Sequence, residues 1–207
     1  MRVLLAGFGP FPGAPFNPSA ALVQNLARRR RPALDGLIRR AHVFATSYAG
    51  VDRDMPKLFA EQPDIVLVFG LAGRRHQICI ETRARNAVSV LFPDASGRRH
   101  STGIIESGGP DALVGRAPFA RLLGATRTGK VPARLSRDAG RYLCNYAYWR
   151  ALERAPKGWP LVQFVHIPAP GRDAQPRRRS KRRSPSLSQL VGAAERLLIA
   201  LVAASQR

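Results

Sequence analysis

Three side chains could form a thiol nucleophile system, although they are far apart in the sequence. Cys144 lies in "SRDAGRYLCNYAYW", His166 follows the apolar run "LVQFV", and Glu81 ends "HQICIE". In thiol catalysis an imidazole takes the proton of the thiol, a carboxylate orients the imidazole, and the thiolate attacks a carbonyl carbon. These residue types therefore suit acyl transfer, provided that the fold brings them together.

Each of these residues also has a simpler interpretation. A single cysteine on a helix is more often inert packing, and a histidine that ends an apolar strand is usually a hydrogen-bonded edge residue. Glu81 could pair with Arg83 or Arg85. Chain order alone leaves the catalytic and the structural interpretations open. The second cysteine, Cys79, lies in an alternating strand and is expected to be an unreactive core residue.

The elements that must position these side chains alternate along the chain. Apolar runs predict buried strands in "RVLLAGF", "LIRRAHVFATSY", "DIVLVFG", "HQICIETR" and "LVQFVHI". Strands that alternate with helices indicate a largely parallel sheet covered on both faces. The predicted fold class is therefore α/β: a three-layer αβα single domain over residues 1–207, with a mainly parallel, partly mixed central sheet.

Four helices are predicted between and after these strands. The first follows Asn17 as its cap, with Pro18 in the first turn, and the second runs from Val51 to Gln62, where Pro56 requires a kink or a late start. The third covers "SRDAGRYLCNYAYWRALERA" with Ser136 as a candidate cap, and the last covers "PSLSQLVGAAERLLIALVAA". The segment from Phe92 to Gly115 is predicted to be a loop.

Cys144 and His166 are predicted to lie where such a sheet binds its ligands. Ligands usually bind outside the carboxyl ends of the strands, and His166 ends a strand there. Cys144 lies within about two turns of the start of its helix, where the helix dipole lowers the pKa of a thiol.

The charge of the chain is unusual, with 34 Lys+Arg against 13 Asp+Glu and a formal net charge of +21. Much of it is clustered at 28–31 and at 177–183, the second cluster in a predicted flexible linker (172–184). No interleaved aromatic and basic pattern or recognition-helix signature accompanies it, so nucleic-acid binding is only a minor alternative. His42, His76 and His100 show no metal-ligand spacing.

Two cysteines and no apolar run of about 20 residues favour a cytoplasmic protein without a membrane anchor.

Five blocks of sequence carry a family resemblance. They are "LLAGFGPFPGAPFNPSAALV", "GLAGRRHQICIETRARN", "SRDAGRYLCN", "FVHIP" and "PSLSQLV". In this order, from Leu4 to about Val191, they resemble the pyroglutamyl peptidase I (pyrrolidone-carboxylate peptidase) family of cysteine peptidases. The resemblance implies a single α/β domain without a cofactor, commonly a homo-oligomer (dimer or tetramer), that removes N-terminal pyroglutamate from peptides. The family's catalytic residues fall on Glu81, Cys144 and His166.

The resemblance also implies a substrate pocket for a neutral lactam. Small apolar pockets with a few amide partners suit such a ring. Phe8 and Phe11 match aromatic wall residues, Asn17 matches a loop asparagine, and the backbone of Leu71 is expected to exchange hydrogen bonds with the lactam. Further lining positions fall on Phe92, Tyr142 and Leu143. The backbone N–H of Cys144 is expected to donate to the oxyanion.

The chain departs from the family pattern near the expected site. Leu91 stands where the family usually has an arginine that helps to hold the oxyanion, and Arg83 or Arg85 could substitute for it. Thr82 and Arg74 replace an expected arginine and glycine. These departures raise the alternative of a weakened relative that binds lactam or pyroglutamyl ends without turnover.

Overall fold

The computed structural model describes residues 1–11, 14–129, 131–155, 157, 159–171 and 184–206. In this part of the chain eight strands and five α-helices form. The strands are β1 (Arg2–Phe8), β2 (Ile38–Phe44), β3 (Ile65–Leu71), β4 (Ile78–Glu81), β5 (Arg83–Arg85), β6 (Ala112–Val114), β7 (Ala133–Ser136) and β8 (Leu161–Ile167). The helices are α1 (Pro18–Ala27), α2 (Tyr48–Ala60), α3 (Phe119–Arg127), α4 (Leu143–Leu152) and α5 (Leu187–Ser205).

Six strands form the central sheet, in the order β2-β1-β3-β8-β4-β7. The pairs β2–β1, β1–β3, β3–β8 and β4–β7 are parallel, whereas β4 runs antiparallel to β8. The predicted mainly parallel, partly mixed sheet is therefore confirmed. Strands β5 and β6 form a separate antiparallel pair beside it.

Helices cover the sheet on both faces, as the alternation of strands and helices predicts. One core cluster packs the buried sides of α1, α3 and α5 against alternate residues of the strands, and a second packs α2 and α4 against the opposite face. Because side chains alternate along a strand, Phe164 lies in the second cluster and Val165 in the first. The face that carries α2 and α4 also carries His166 and Cys144.

Each predicted strand overlaps an observed one, "HQICIETR" dividing into β4 and β5, and the predicted cap of α1 agrees with the structure. Asn17 accepts a hydrogen bond from the Ser19 backbone N–H, and Ser186 and Gln189 form a reciprocal capping box. Helix α5 is long and apolar enough to cross a membrane by length and composition alone, but more than half of it is buried in the fold. The predicted linker 172–184 lies outside the described residues, apart from Ser184.

Helix α2 begins three residues earlier than predicted and continues through Pro56. Ser47 supplies the cap by accepting from the Gly50 backbone N–H. Pro56 lies on the exposed side of the helix, where the hydrogen bond that it cannot donate leaves a carbonyl open to water.

Further differences lie between residues 112 and 142. Part of the predicted loop forms β6, and α3 and β7 are additional elements. Ser136 ends β7 and does not cap a helix, because a turn follows in which Asp138 accepts from the Gly140 N–H and Gly140 adopts a φ of 86°. Helix α4 therefore starts only at Leu143, with Tyr142 as its N-cap. Cys144 thus lies in the first turn, closer to the positive end of the helix dipole than predicted.

Candidate active site

The Cys144 sulfur lies at the start of α4, directly over the end of β3. Cys144 is half-buried and is a free thiol. A Cβ atom added to Gly70 would lie 2.8 Å from the Cys144 Sγ and 2.8 Å from the Phe164 ring. The absence of a side chain at Gly70 therefore makes the space that the sulfur occupies.

His166 lies beside the sulfur on the neighbouring strand. It pairs in register with Gly70 on β3 and with Cys79 on β4. The residue is 5% exposed, and its imidazole lies close enough to the Cys144 sulfur for the two groups to interact electrostatically. The Phe164 ring packs against it with the ring centroids 5.0 Å apart, which restricts the tilt of the imidazole.

Glu81 reaches the other ring nitrogen from β4. Its Oε1 lies 2.8 Å from the His166 Nδ1, and its side chain is fully buried. Because β4 is antiparallel to β8, Glu81 does not end at the same sheet edge as His166. Instead it pairs with Phe164, two residues back along β8 on the same face of the sheet.

The electrostatics of this cluster favour a charged pair. Burial alone would lower the pKa of His166, but the neighbouring Cys144 sulfur and the Glu81 carboxylate raise it to about 9. Burial would raise the pKa of Glu81, but the imidazole, with Ser136 and Arg75, lowers it. The imidazole therefore holds its proton at neutral pH and Glu81 stays ionised.

The first turn of α4 offers backbone donors next to the sulfur. Within the described residues, no side chain caps this helix. The first backbone hydrogen bond of the helix runs from the Tyr146 N–H to the Tyr142 carbonyl. The N–H groups of Leu143 and Cys144 precede that bond and have no partner inside the helix. Such donors at a helix start can bind an oxyanion.

Aromatic side chains surround the approach to the sulfur. Phe8 is buried, 6.4 Å from the Phe164 ring, and Phe11 lies 6.4 Å from Tyr142 by ring centroids. The Tyr142 hydroxyl donates to the Pro93 carbonyl over 2.9 Å, which ties the 90–93 loop to the start of α4. Leu143 is buried in the core on the same face of the sheet.

Two more predicted pocket residues lie near this cluster. Asn17 caps α1 and also donates from Nδ2 to the Gly9 carbonyl, so one side chain joins the helix to the loop after β1. Leu71 follows Gly70 at the end of β3 and pairs with Ile167.

Phe92 is not part of a buried wall. Its side chain is 62% exposed, and that of Leu91 is 72% exposed. Arg83 and Arg85 are the predicted substitutes for the arginine missing at position 91, but both side chains are bound elsewhere. Arg83 donates to the Arg137 carbonyl, and Arg85 donates to the Asp138 carboxylate. Thr82 donates from its hydroxyl to the Ser136 carbonyl, a structural role.

The cationic partner of Glu81 is Arg75, which the sequence analysis did not single out. Its Nη1 donates to the Glu81 Oε1 over 2.7 Å, and its Nη2 donates to the Asp138 carbonyl over 2.7 Å. The alternative in which Glu81 pairs with Arg83 or Arg85 is therefore not what the structure shows. A weak signal was present, because Arg75 lies six residues before Glu81 in the loop that enters the same strand.

Two surface cavities lie elsewhere and carry no comparable chemistry. One, of about 310 Å³, is lined by residues of β6 and the end of α4; the other, of about 930 Å³, surrounds Met1, Ile38 and Trp159. Cys144, His166 and Glu81 do not line either cavity. The described residues include no group of three or more His, Cys, Asp or Glu side chains placed to hold a metal ion.

Comparisons with known proteins agree on one family. The family model for pyroglutamyl peptidase matches residues 1–207. A pyrrolidone-carboxylate peptidase of Thermococcus onnurineus is 35% identical over 171 residues, which is 81% of this chain and 84% of the relative. The pyrrolidone-carboxylate peptidase of Pyrococcus furiosus is 33% identical over 176 residues, 81% of each chain.

Solved structures give the same result. A mutant pyrrolidone carboxyl peptidase of Pyrococcus furiosus superimposes with a TM-score of 0.86 at 26% identity, covering 99% of this chain and 100% of that one. The pyroglutamyl peptidase I of Bacillus amyloliquefaciens gives 0.81 at 29% identity, covering 100% and 97%. With a family match along its whole length and relatives above 30% identity, the chain belongs to the pyroglutamyl peptidase family.

Proposed function

We propose that this protein is a cysteine exopeptidase that hydrolyses the N-terminal pyroglutamyl group from peptides. The observation that supports it most directly is the arrangement of Cys144, His166 and Glu81: the imidazole lies beside the sulfur and is hydrogen-bonded to the Glu81 carboxylate over 2.8 Å, next to aromatic rings and the first turn of a helix. Family membership supports the substrate class, and the arrangement of the three side chains supports the roles of nucleophile, proton carrier and orienting carboxylate that we propose for them.

In the acylation step, the Cys144 thiolate attacks the carbonyl carbon of the pyroglutamyl residue. The carbonyl oxygen becomes an oxyanion, which the backbone N–H of Cys144 at the start of α4 stabilises. His166 then gives its Nε2 proton to the departing peptide nitrogen, the C–N bond breaks, and the shortened peptide leaves with a free amine. The pyroglutamyl group remains on Cys144 as a thioester.

In the deacylation step, the neutral imidazole takes a proton from water, and the resulting hydroxide adds to the thioester carbonyl. The C–S bond breaks, pyroglutamate is released, and the thiolate and imidazolium are restored. Glu81 stays bonded to Nδ1 in both steps and keeps Nε2 directed at the sulfur. No cofactor is needed for this sequence.

The pocket is proposed to recognise the ring by its lack of charge. Phe8, Phe11 and Tyr142 supply apolar surface, the Leu71 backbone supplies amide hydrogen bonds, and Asn17 holds the loop that carries Phe11. An ordinary N-terminal ammonium would lose its hydration among these rings without gaining a counter-charge, which disfavours peptides that have a free N-terminus. Phe92, although exposed, is close in sequence to the Pro93 carbonyl that Tyr142 binds, and we propose that it contacts the peptide beyond the ring.

The Leu91 side chain offers no hydrogen-bond donor, so we propose that the oxyanion depends on backbone N–H groups alone. A missing side-chain donor of this kind costs roughly 10²–10³ in rate. The enzyme is therefore expected to turn over more slowly than a relative that has arginine at this position.

The test is the release of a fluorescent amine from a pyroglutamyl amide. We expect turnover by the wild type and background release by Cys144→Ala, because the thioester cannot form. Cys144→Ser, which keeps a hydroxyl of similar shape, is expected to lose nearly all activity but to retain binding of pyroglutamate. If the wild type released amine no faster than Cys144→Ala, the proposed function would be wrong.

The homo-oligomeric state (dimer or tetramer) and the cytoplasmic location stay predictions drawn from the family resemblance and the composition.

A further inference from the structure

Arg75 joins two parts of the proposed site that are distant in the sequence. One guanidinium nitrogen binds the Glu81 Oε1 and the other binds the backbone carbonyl of Asp138, each over 2.7 Å. The Glu81 Oε1 is also the atom that accepts the hydrogen bond from the His166 Nδ1. The cation and the imidazole therefore share a single carboxylate oxygen.

The burial of this group distinguishes it from an ordinary surface ion pair. The Glu81 side chain is fully buried and that of Arg75 is 25% exposed. An ionised carboxylate with no access to water requires charged or hydrogen-bonded partners around it. The planar guanidinium suits this place, because two of its nitrogens can bind two different acceptors at once.

The hydrogen bond from Arg75 to the Asp138 carbonyl connects Arg75 to the segment that precedes Cys144. Asp138 begins the turn between β7 and α4, and its carboxylate accepts from the Gly140 N–H and from Arg85. Only four residues separate Asp138 from Leu143, where α4 and its exposed N–H groups begin. Arg75 thus connects the carboxylate behind His166 with the turn that leads to Cys144.

We propose that Arg75 is a positioning residue that holds Glu81 against His166 and, through Asp138, fixes the turn that carries Cys144. This proposal rests on the proposed function, because it assigns Arg75 a part in the same reaction. Arg75 does not reach the sulfur or the substrate; it acts through Glu81 and the turn.

The charge of Arg75 has a consequence that a structural contact alone would not have. The Arg75 cation is bound to the same carboxylate oxygen as the His166 imidazole, so its positive charge disfavours protonation of the imidazole. Removal of the Arg75 charge is therefore expected to raise the pKa of His166. Other groups facing this pair are the Cys144 and Cys79 sulfurs, the Ser136 hydroxyl, the Asp138 carboxylate and the Tyr148 hydroxyl, which donates to the Glu81 carbonyl. None of these is a fixed cation, so Arg75 is the charge that a substitution can remove cleanly.

Three variants separate the effect of the Arg75 charge from that of its two hydrogen bonds to Glu81 and Asp138. Arg75→Met removes both, Arg75→Lys keeps the charge without the two-nitrogen fork, and Arg85→Met breaks the other arginine contact to Asp138 without touching Glu81. For each we would measure kcat on a pyroglutamyl amide, the pH profile of kcat/KM, and the NMR titration of the His166 ring.

We expect Arg75→Met to lose at least about tenfold in kcat and to move the high-pH limb of kcat/KM upward by about one pH unit. Arg75→Lys should keep the wild-type limb but lose a similar factor in kcat. Arg85→Met should leave the limb where it is. The His166 ring should titrate about one unit higher in Arg75→Met than in the wild type and unchanged in Arg75→Lys.

The proposal would be overturned if Arg75→Met left both the high-pH limb of kcat/KM and the titration of the His166 ring unchanged. It would also be overturned if Arg75→Lys kept the wild-type kcat. If Arg75→Met fails to fold, Arg75→Lys still decides through kcat. The ring titration needs no turnover, so it reports on Arg75 even if the wild type proves inactive and the proposed function fails.

Discussion

At the scale of single residues, the partners of His166 determine how activity should depend on pH. The pKa of this ring lies well above its ordinary value despite burial, because the sulfur and the Glu81 carboxylate favour its charged form. The imidazolium is the acid that protonates the departing amine in the proposed mechanism. Activity should therefore persist through neutral pH and decline as the ring loses its proton.

We accordingly predict that kcat/KM falls above about pH 9, the pKa of His166. Glu81→Gln removes a negative charge that raises this pKa and leaves the Arg75 cation uncompensated, so both effects lower it. The high-pH limb should move down by about one unit or more, with a lower kcat. The measurement is the pH profile of amine release.

The matched control is Glu106→Gln, which neutralises an exposed carboxylate outside the site. Its profile should coincide with that of the wild type. A limb that stayed in place or moved upward in Glu81→Gln would show that Glu81 does not tune the ring.

At the scale of elements, the site depends on how closely α4 approaches the end of β3. Gly70 permits this approach, because the Cys144 sulfur and the Phe164 ring fill the space that a side chain would need. Gly70 has a packing role and not a conformational one, because its φ is not positive and other residues could adopt its backbone conformation. The start of α4, the end of β3 and the Cys144 sulfur therefore pack directly against one another.

Gly70→Ala should therefore push the sulfur away from His166. We expect a loss of about 1–3 kcal/mol in the free energy of unfolding from overpacking, and a fall of about 10²-fold in kcat/KM. Urea unfolding and amine release measure the two effects. Retention of full activity would mean that α4 can shift without disturbing the nucleophile.

Gly124→Ala is the control for this substitution. Gly124 lies exposed within α3, and an added Cβ would meet no atom within 4 Å. Alanine is a better helix residue than glycine, so the free energy of unfolding should rise by about 0.5–1 kcal/mol with activity unchanged.

At the scale of the whole molecule, the excess of arginine is partly absorbed by the fold. Arg29 and Arg31, from the run that follows α1, both bind Glu195 on α5, with N···O distances of 3.2 and 2.8 Å. Glu195 is 7% exposed, so these arginines neutralise a buried carboxylate and join the first helix to the last. This part of the basic run therefore has a structural explanation.

The remaining positive charge should make stability depend on salt. With a formal net charge of +21, the compact state carries self-repulsion that salt screens. We predict that Tm rises by about 2–4 °C between 10 and about 300 mM NaCl, corresponding to about 1 kcal/mol. Calorimetry measures this change, and a Tm that fell with salt would indicate that ion pairs such as those of Glu195 outweigh the repulsion.

The sequence alone determined the fold class, most strands, the cap of α1 and the choice of the three residues proposed as the relay. It could do so because buried strands, caps and turns have local signals, and because five family blocks occur in order. It did not determine the start of α4: the segment from Ser136 is compatible with a helix by composition, and only the pairing of β7 with β4 removes Ser136 from it. It also did not reveal that Glu81 lies beside Phe164 on an antiparallel strand or that Arg75 is its partner. Those facts depend on register and on contacts between loops, which arise when the chain packs and leave no local pattern in the order of its residues.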